Sequence, residues 1–540
     1  MMMVVPLTMR SILERANRFF PKKEIVTRTE NGLFRYTYRD FYQRTVRLAS
    51  ALQRLGIKKG ERVATFAWNH YRHLEAYFAI PCMGAVLHTV NIRLSGEHIV
   101  YILNHAEDQL LLVDESLVPL IEAIQDQLKT VKGYIIMTDK EELPATKLQP
   151  AYHYERLLAE ADPDYRFPDD IDENDPMGMC YTSATTGNPK GVVYTHRAIY
   201  LHSLAVGLAD TIGLSERDTI LPIVPMFHAN AWGMPFAATL FGTKQVYPGV
   251  GPTPKDFIQL IQDEKVTISA GVPTIWIGVL QELEKGDYDI SHLKTALCGG
   301  SAAPKSLIRT FEEKYNVIMM HAYGMTETSP LATVARLKSY QEELPFEERL
   351  NIRASQGILV PGLEIRVVGE NGDVAWNGKE MGEIYLRGNW IASEYYQDER
   401  TKDTFVDGWL HTGDVATIDE EGYIRLVDRT KDLVKSGGEW ISSVDLENAL
   451  MAHPAVLEAA VIAVPHPKWH ERPLACVVLK PGHEGKVSKE ELLDFLRPQF
   501  AKWWIPDDVV FLKEIPKTSV GKFLKRGLRE QFSQHYQSAT

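Results

Sequence analysis

The chain has no run of about 18 apolar residues, so no segment reads as a helix that would span a bilayer. Paired cysteines are missing too. Cys82, Cys180, Cys298 and Cys476 stand far apart, which excludes the spaced pairs of a zinc site or a redox dithiol and leaves buried thiols in a reducing compartment. Positive charge is in deficit, with a formal net charge of -12, so a nucleic-acid partner held by a global positive field is excluded. Any anionic ligand must therefore be gripped locally. No basic segment precedes the short apolar stretch within Met1 to Arg10, so the start does not read as a secretory leader, and the cytoplasm is the expected address. Internal repeats and low-complexity tracts are absent as well, which excludes solenoids and disordered tails.

What is present is a soluble globular composition, 45% hydrophobic and 24% charged over 540 residues, more than one domain of ordinary size. Helical spacing over Thr37 to Leu55, Leu74 to Met83 and Ala198 to Leu208 alternates with short apolar runs at 62–66, 85–89, 109–113, 219–225, 267–272 and 293–298. That alternation predicts an α/β fold with mostly parallel strands. Runs at 363–368, 382–387 and 423–427, joined by Asn371-Gly372 and Glu421-Gly422 turns, predict a small β region. The charged stretch 428–433 then leads into a compact α/β module. The expected organisation is a large N-terminal domain over 1–427, a charged connection over 428–433 and a small C-terminal domain over 434–540.

The most informative stretch runs from Tyr181 to Thr195. Thr182, Ser183, Thr185, Thr186, Gly187 and Lys190 lie between two short strands, so hydroxyls, bare backbone N–H groups and one ammonium can surround phosphate oxygens. The Walker loop is excluded, because the order here is Lys190-Gly191 and a strand follows. Further along stand Met226-Phe227-His228-Ala229 with Trp232, then Gly299-Gly300-Ser301-Ala302-Ala303-Pro304, then His321-Ala322-Tyr323-Gly324-Met325-Thr326-Glu327. After them come Thr412-Gly413-Asp414, the charged Asp428-Arg429-Thr430-Lys431-Asp432, Lys435 to Trp440 with Gly437-Gly438, and Thr518-Ser519-Val520-Gly521-Lys522. Lys517, Lys525 and Arg526 read as a solubilising basic face. The tail 523–532 is basic and mildly amphipathic, a weak hint of membrane-surface contact.

The hydroxyl loop, Pro-Met-Phe-His, Gly-Gly-Ser-Ala-Ala-Pro, Tyr-Gly-Met-Thr-Glu, Thr-Gly-Asp, the charged 428–432 and the terminal lysine, in this order, resemble the adenylate-forming superfamily, and the whole chain resembles a bacterial AMP-forming fatty acyl-CoA synthetase, its 435–450 stretch being similar to the long-chain branch. The resemblance implies ligation of a fatty acid to CoA through an acyl-adenylate, with ATP and CoA as co-substrates and Mg²⁺ as cofactor. It implies Lys522, Glu327 and His228 as catalytic residues and Mg²⁺ on Thr182 and Glu327. ATP would be held by the hydroxyl loop with Gly187 and Lys190, by Gly300, Ser301, His321, Ala322, Tyr323 and Thr326, by Asp414 on the ribose, and by Arg429, Lys431, Lys435 and Trp440. His228, Ala229, Trp232, Gly299, Gly300, Ala302 and Tyr323 would line the acyl pocket, and Gly437 with Gly438 the CoA path. The resemblance also implies a hinge over 428–433 with Asp428 as pivot, about which the C-terminal domain is mobile, and a homodimer through the N-terminal domain.

Other readings remain open at this stage. A medium-chain or methylthio-substituted short acid satisfies the same residues, and a carrier protein could replace CoA. An amino acid is disfavoured, since relatives that take one carry Asp where His228 stands. Ala184, where most relatives have Gly, raises a catalytically silent nucleotide-binding protein as a further reading. Asp428→Pro is predicted to spare adenylation and cripple thioester formation, measured as separate half reactions; equal loss of both would refute the hinge assignment.

Overall fold

Two large sheets, a small antiparallel sheet and a terminal module account for the chain, in a computed structural model that describes residues 1–182, 187–430, 432–436, 439–519 and 521–536. The first sheet orders Ala151–His153, Tyr134–Met137, Leu110–Asp114, Arg62–Phe66, Val86–Thr89, Pro176–Tyr181 and Gly191–Thr195. Every neighbouring pair is parallel except the last, a hairpin. Its strands are apolar on both faces because helices cover both sides, the pattern expected of a parallel sheet.

The second sheet has nine strands and centres on Thr219–Pro222, Ile268–Gly271, Thr295–Cys298 and Ile318–Gly324, all parallel. Its far edge is the antiparallel hairpin Glu24–Thr29 and Gly32–Thr37, which hydrophobic runs did not reveal because Thr and Arg occupy alternate positions. The hairpin was legible in its turn: Asn31-Gly32 between alternating segments is a hairpin signal, and Gly32 takes φ 107°. Helix Tyr38–Arg54 follows at once, started by a capping box in which Thr37 and Asp40 satisfy each other's backbone N–H groups.

The third sheet is antiparallel and holds Leu363–Gly369, Gly382–Gly388, Trp409–Ile418 and Ile424–Arg429. The terminal module pairs Val434–Ser436, Glu439–Ile441, Val456–His466 and His470–Leu479, adds Asp508–Phe511 in parallel, and packs helices Ser443–Met451 and Lys489–Leu496 on the sheet. The architecture is thus the α/β body, β region and small C-terminal α/β domain that the sequence pattern implies. All four cysteines are buried and free. Among the described residues no helix is long and apolar enough to cross a membrane.

Strand ends position the site. In open α/β sheets ligands bind beyond the carboxyl ends of the strands. Here the segments after Tyr181, Pro222, Cys298 and Gly324 all open toward one cavity.

Candidate active site

The first wall is the neck of the hydroxyl loop. The Thr182 N–H donates to the Lys190 carbonyl at 2.9 Å and the Lys190 N–H donates to Thr182 Oγ1 at 3.1 Å, which extends the hairpin by one rung and fixes where the loop begins and ends. Ser183, Ala184, Thr185 and Thr186 lie outside the described residues, as do Lys431, Gly437 and Gly438.

The second wall follows strand Thr219–Pro222. Asn69 clamps the strand end, its amide donating to the Pro222 and Val224 carbonyls and its oxygen accepting the Met226 N–H at 2.7 Å. His228 comes next, its N–H on the Pro225 carbonyl at 3.0 Å. Beyond it Ala229, Asn230, Ala231 and Trp232 all take positive φ, at 43°, 54°, 49° and 58°, forming a left-handed turn. For L-residues such a conformation costs roughly 1–2 kcal/mol each. Tertiary contacts hold it, among them the Cys180 S–H donating to Asn230 Oδ1 at 2.7 Å. The turn delivers His228, Ala229 and Trp232 to the cavity wall together.

The third wall is Gly299-Gly300. A Cβ on Gly299 would stand 2.8 Å from the Ala322 carbonyl oxygen and 3.2 Å from the Trp232 ring. Gly300 takes φ +82°, and a Cβ there would meet Val272 Cγ1 at 3.1 Å and Lys522 Cε at 3.6 Å. Lys522 therefore crosses bare backbone.

The fourth wall is strand Ile318–Gly324 and the short turn Thr326–Thr328. Glu327 is buried, with Thr326 fixed by the Tyr194 hydroxyl at 2.8 Å and the Glu327 carbonyl by the Ala392 N–H at 2.8 Å. The antiparallel sheet closes the remaining side. Tyr323 donates its hydroxyl to Asp414 Oδ2 at 2.7 Å, while Arg429 Nε lies 3.4 Å from Asp414 Oδ1.

The enclosed space is about 560 Å³, and its lining includes Thr182, Lys190, His228, Ala229, Trp232, Gly299, Gly300, Ala322, Tyr323, Thr326, Glu327, Arg429 and Lys522. A second cavity of about 250 Å³ shares Gly300, Ala322, Tyr323, Arg429 and Lys522 and adds Ser301, Ala302, His321, Asp414 and Asp428. Neither is lined by Gly187, Lys435 or Trp440. Lys435 and Trp440 face each other across the terminal module's hairpin, the ammonium 4.9 Å from the ring centroid.

Burial sets the electrostatics. It pushes the Lys522 ammonium down to about 8, with Arg429 lowering it further and Asp414 and Glu327 opposing. It takes His228 down to about 3, Lys522 adding to the effect, so that imidazole is neutral at physiological pH. Lys190 is lowered from its ordinary value, again chiefly by burial.

Sequence reasoning missed several cavity residues. Tyr395 and Arg400 lie near Lys190, Glu383 accepts the Gly413 N–H at 2.8 Å, and Ile212, Met234, Pro330 and Leu331 add apolar lining. Their local sequence carries no motif. Lys525 requires a correction: it is not a solubilising group. Its ammonium is buried 2.8 Å from Glu447, bonds the Ser443 hydroxyl, and lies 3.7 Å from the carboxylate of Asp428, which also accepts from Ser443. Lys517 likewise pairs with Glu458 at 2.6 Å. In helix Lys525–Phe532 Leu528 is fully buried and Arg529 bonds Asp432, so the amphipathic face points into the protein.

A large α/β body and a small terminal domain meeting over one polar cavity define an adenylate-forming architecture. Solved structures of this shape include the anthranilate CoA ligase AuaEII in complex with anthranoyl-AMP, with TM-score 0.87 and 25% identity over 100% of this chain and 99% of that one. The Mycobacterium tuberculosis fatty acyl CoA synthetase has TM-score 0.72 and 28% identity over 98% and 99%. The family model described as AMP-binding enzyme matches residues 13–396, and that of the AMP-binding enzyme C-terminal domain matches 445–522. A long-chain-fatty-acid–CoA ligase of Thermus thermophilus is 52% identical, covering 100% of this chain and 98% of the relative. A 3-methylmercaptopropionyl-CoA ligase of Ruegeria pomeroyi is 43% identical over 98% of each, and a medium-chain-fatty-acid–CoA ligase of Ectopseudomonas oleovorans 41% over 98% and 97%. The chain belongs to the AMP-binding enzyme family and is an AMP-forming acyl-CoA synthetase of the adenylate-forming superfamily.

Two substitutions test the geometry. Gly300→Ala is expected to leave the fold intact and slow adenylation by ~10- to 100-fold, because strain at positive φ and the tight approach of the added methyl to Val272 shift the backbone that Lys522 lies against. Pyrophosphate release measures it. Lys525→Met strands two buried carboxylates and is expected to destabilise the terminal domain by roughly 3–5 kcal/mol, read from urea unfolding.

Proposed function

We propose that this enzyme joins a fatty acid to CoA in two steps at the larger cavity, first forming acyl-adenylate and pyrophosphate from the acid and ATP, then transferring the acyl group to the CoA thiol. The observation that carries the reading is the meeting of Lys522, Lys190 and Glu327 at a cavity that is also lined by the apolar side chains of Ile212, Met234 and Leu331. A carboxylate and a triphosphate are both anionic, so their approach needs fixed positive charge where charge develops in the transition state. Lys522 would bridge the acid and the α-phosphate, and Lys190 would hold the departing phosphates. Asp414, kept in place by Tyr323 and Arg429, has the acceptor oxygens a ribose diol requires. Neutral His228 beside the acyl carbonyl can orient the substrate without adding charge. In the remaining ATP contacts we include Gly187, Ser301, His321, Ala322 and Thr326, with Lys435 and Trp440 approaching when the terminal domain moves.

Mg²⁺ fits the donors present. Glu327 and Thr182 offer a carboxylate and a hydroxyl on one cavity, and the described residues contain no cluster of three or more His, Cys, Asp or Glu that could hold a metal. Mg²⁺ commonly binds through one or two carboxylates plus substrate phosphate and water. Bound there, it would neutralise charge on the phosphates. We further propose domains of 1–427 and 434–540 about a hinge at 428–433, a homodimer, and a cytoplasmic address; the four buried free thiols support a reducing compartment.

The long-chain reading is favoured over medium or methylthio acids by the 52% identity to a long-chain ligase, against 43% and 41%. Pyrophosphate release over straight-chain acids, with and without CoA, tests it: activity rising with chain length is expected, and a maximum at short acids would overturn it. The pH profile carries its own sign. Lys522 acts as the ammonium, so kcat/KM for adenylation should fall as pH rises through about 8. Lys522→Ala should lose ~10²- to 10³-fold in adenylation while converting preformed acyl-adenylate with CoA nearly normally.

A further inference from the structure

Tyr395 belongs to no motif, yet its hydroxyl stands between the two oppositely charged groups of the cavity. Lys190 Nζ donates to Tyr395 Oη at 2.8 Å, and Tyr395 Oη–H donates to Glu327 Oε1 at 2.6 Å. Lys190 and Glu327 themselves are 4.0 Å apart, too far for a direct hydrogen bond. The ring is almost fully buried and packs edge-on against Phe405 at 5.1 Å. Its backbone is pinned from both directions: the Tyr395 N–H donates to Thr401 Oγ1 at 3.0 Å, and the next residue's N–H reaches the Gly191 carbonyl at 2.8 Å. Arg400, forked onto Asp398, donates to the Asn188 carbonyl at 3.0 Å, so the segment 395–400 is tied to the hydroxyl loop.

We propose that Tyr395 is a positioning residue, a neutral spacer that prevents Lys190 and Glu327 from closing into a direct ion pair and keeps each charge available to its own partner. The proposal rests on the functional reading above, in which the ammonium meets the departing phosphates and the carboxylate meets the cation.

The physical case is one of competition. A buried carboxylate and a partly buried ammonium 4.0 Å apart attract each other, and an intervening group keeps the longer side chain from swinging over. A direct pair would close to about 2.8 Å and neutralise both groups. The cavity would then present less net attraction to a triphosphate and a weaker oxygen donor to a metal. The phenol prevents this because it accepts from one partner and donates to the other, with no charge of its own. It is a phenol at neutral pH, where tyrosine ordinarily keeps its proton. The Lys190 ammonium also lies 4.2 Å from the Tyr395 ring centroid, a cation–π contact that holds the lysine on the tyrosine side.

Tyr395→Phe keeps the ring, its packing and the cation–π contact, and removes only the oxygen. The test uses the full chain and four readouts. Wild-type acid-dependent pyrophosphate release is the control for the functional reading; its absence would sink that reading and not the spacer. In Tyr395→Phe, affinity for metal-free ATP by calorimetry is expected to fall about tenfold, and kcat/KM for MgATP ~10- to 100-fold. Conversion of preformed acyl-adenylate with CoA should change less than about twofold, because the phosphates have already left. A crystal structure of the variant should have Lys190 and Glu327 in direct contact. The decisive arm is the double variant Tyr395→Phe, Glu327→Gln, in which the lysine has no carboxylate to pair with and metal-free ATP affinity should recover to the wild-type range. Should the phenylalanine variant bind ATP normally with the two charges still apart, or the double variant fail to recover, the spacer role is wrong.

Discussion

The site depends on bringing one ammonium from the terminal domain onto bare backbone of the body. Lys522 lies against Gly300, a position at φ +82° that favours glycine and where a Cβ would crowd Val272 at 3.1 Å. The contact joins segments more than two hundred residues apart. Around it, burial and then Arg429 take the lysine down to about 8 while Asp414 and Glu327 oppose them, so it stays charged at neutral pH.

Docking of the terminal domain is supported by a second buried charge group. Asp428, Glu447, Ser443 and Lys525 bond one another at the junction, and Asp432 bonds Arg529 beside them. Lys525 lies three residues after Lys522, so what anchors one sets the reach of the other. Asn91 adds a contact on the opposite side, its amide donating to the Ser519 hydroxyl at 2.9 Å. The proposed pivot at Asp428 would have to break or carry these bonds for the domain to turn. A proline there removes a carboxylate as well as a torsion, which makes a mild change at that position the cleaner probe of rotation.

The body stores strain where the acid would bind. Four non-glycine residues in the left-handed region form the turn after His228, an arrangement retained only where surrounding structure over-determines it. Only Asn230 in Ala229-Asn230-Ala231-Trp232 tolerates this readily, because alanine and tryptophan carry no preference for positive φ. The neighbouring strand end and the Cys180 contact impose it from outside the segment. The same holds for Tyr395, whose role comes from meeting Lys190 and Glu327 across about two hundred and about seventy residues of chain.

Residue types and their order were decided locally, and the sequence carried them: the hydroxyl loop with Lys190-Gly191, the paired glycines, Thr326-Glu327, Asp414 and Lys522, and with them the α/β class and the adenylate-forming family. Periodicity also located most strands and helices to within a few residues, since side-chain alternation and helical spacing are short-range properties. Tertiary structure alone decided which basic residues of the tail face solvent, and it turned Lys525 inward against Asp428 and Glu447. It also decided that Lys190 and Glu327 meet through Tyr395, and that Lys435 and Trp440 stand outside both cavities. The reason is that burial, pKa and charge pairing are set by neighbours distant in sequence, and a charged residue reads the same in a local window whether water or a carboxylate will face it.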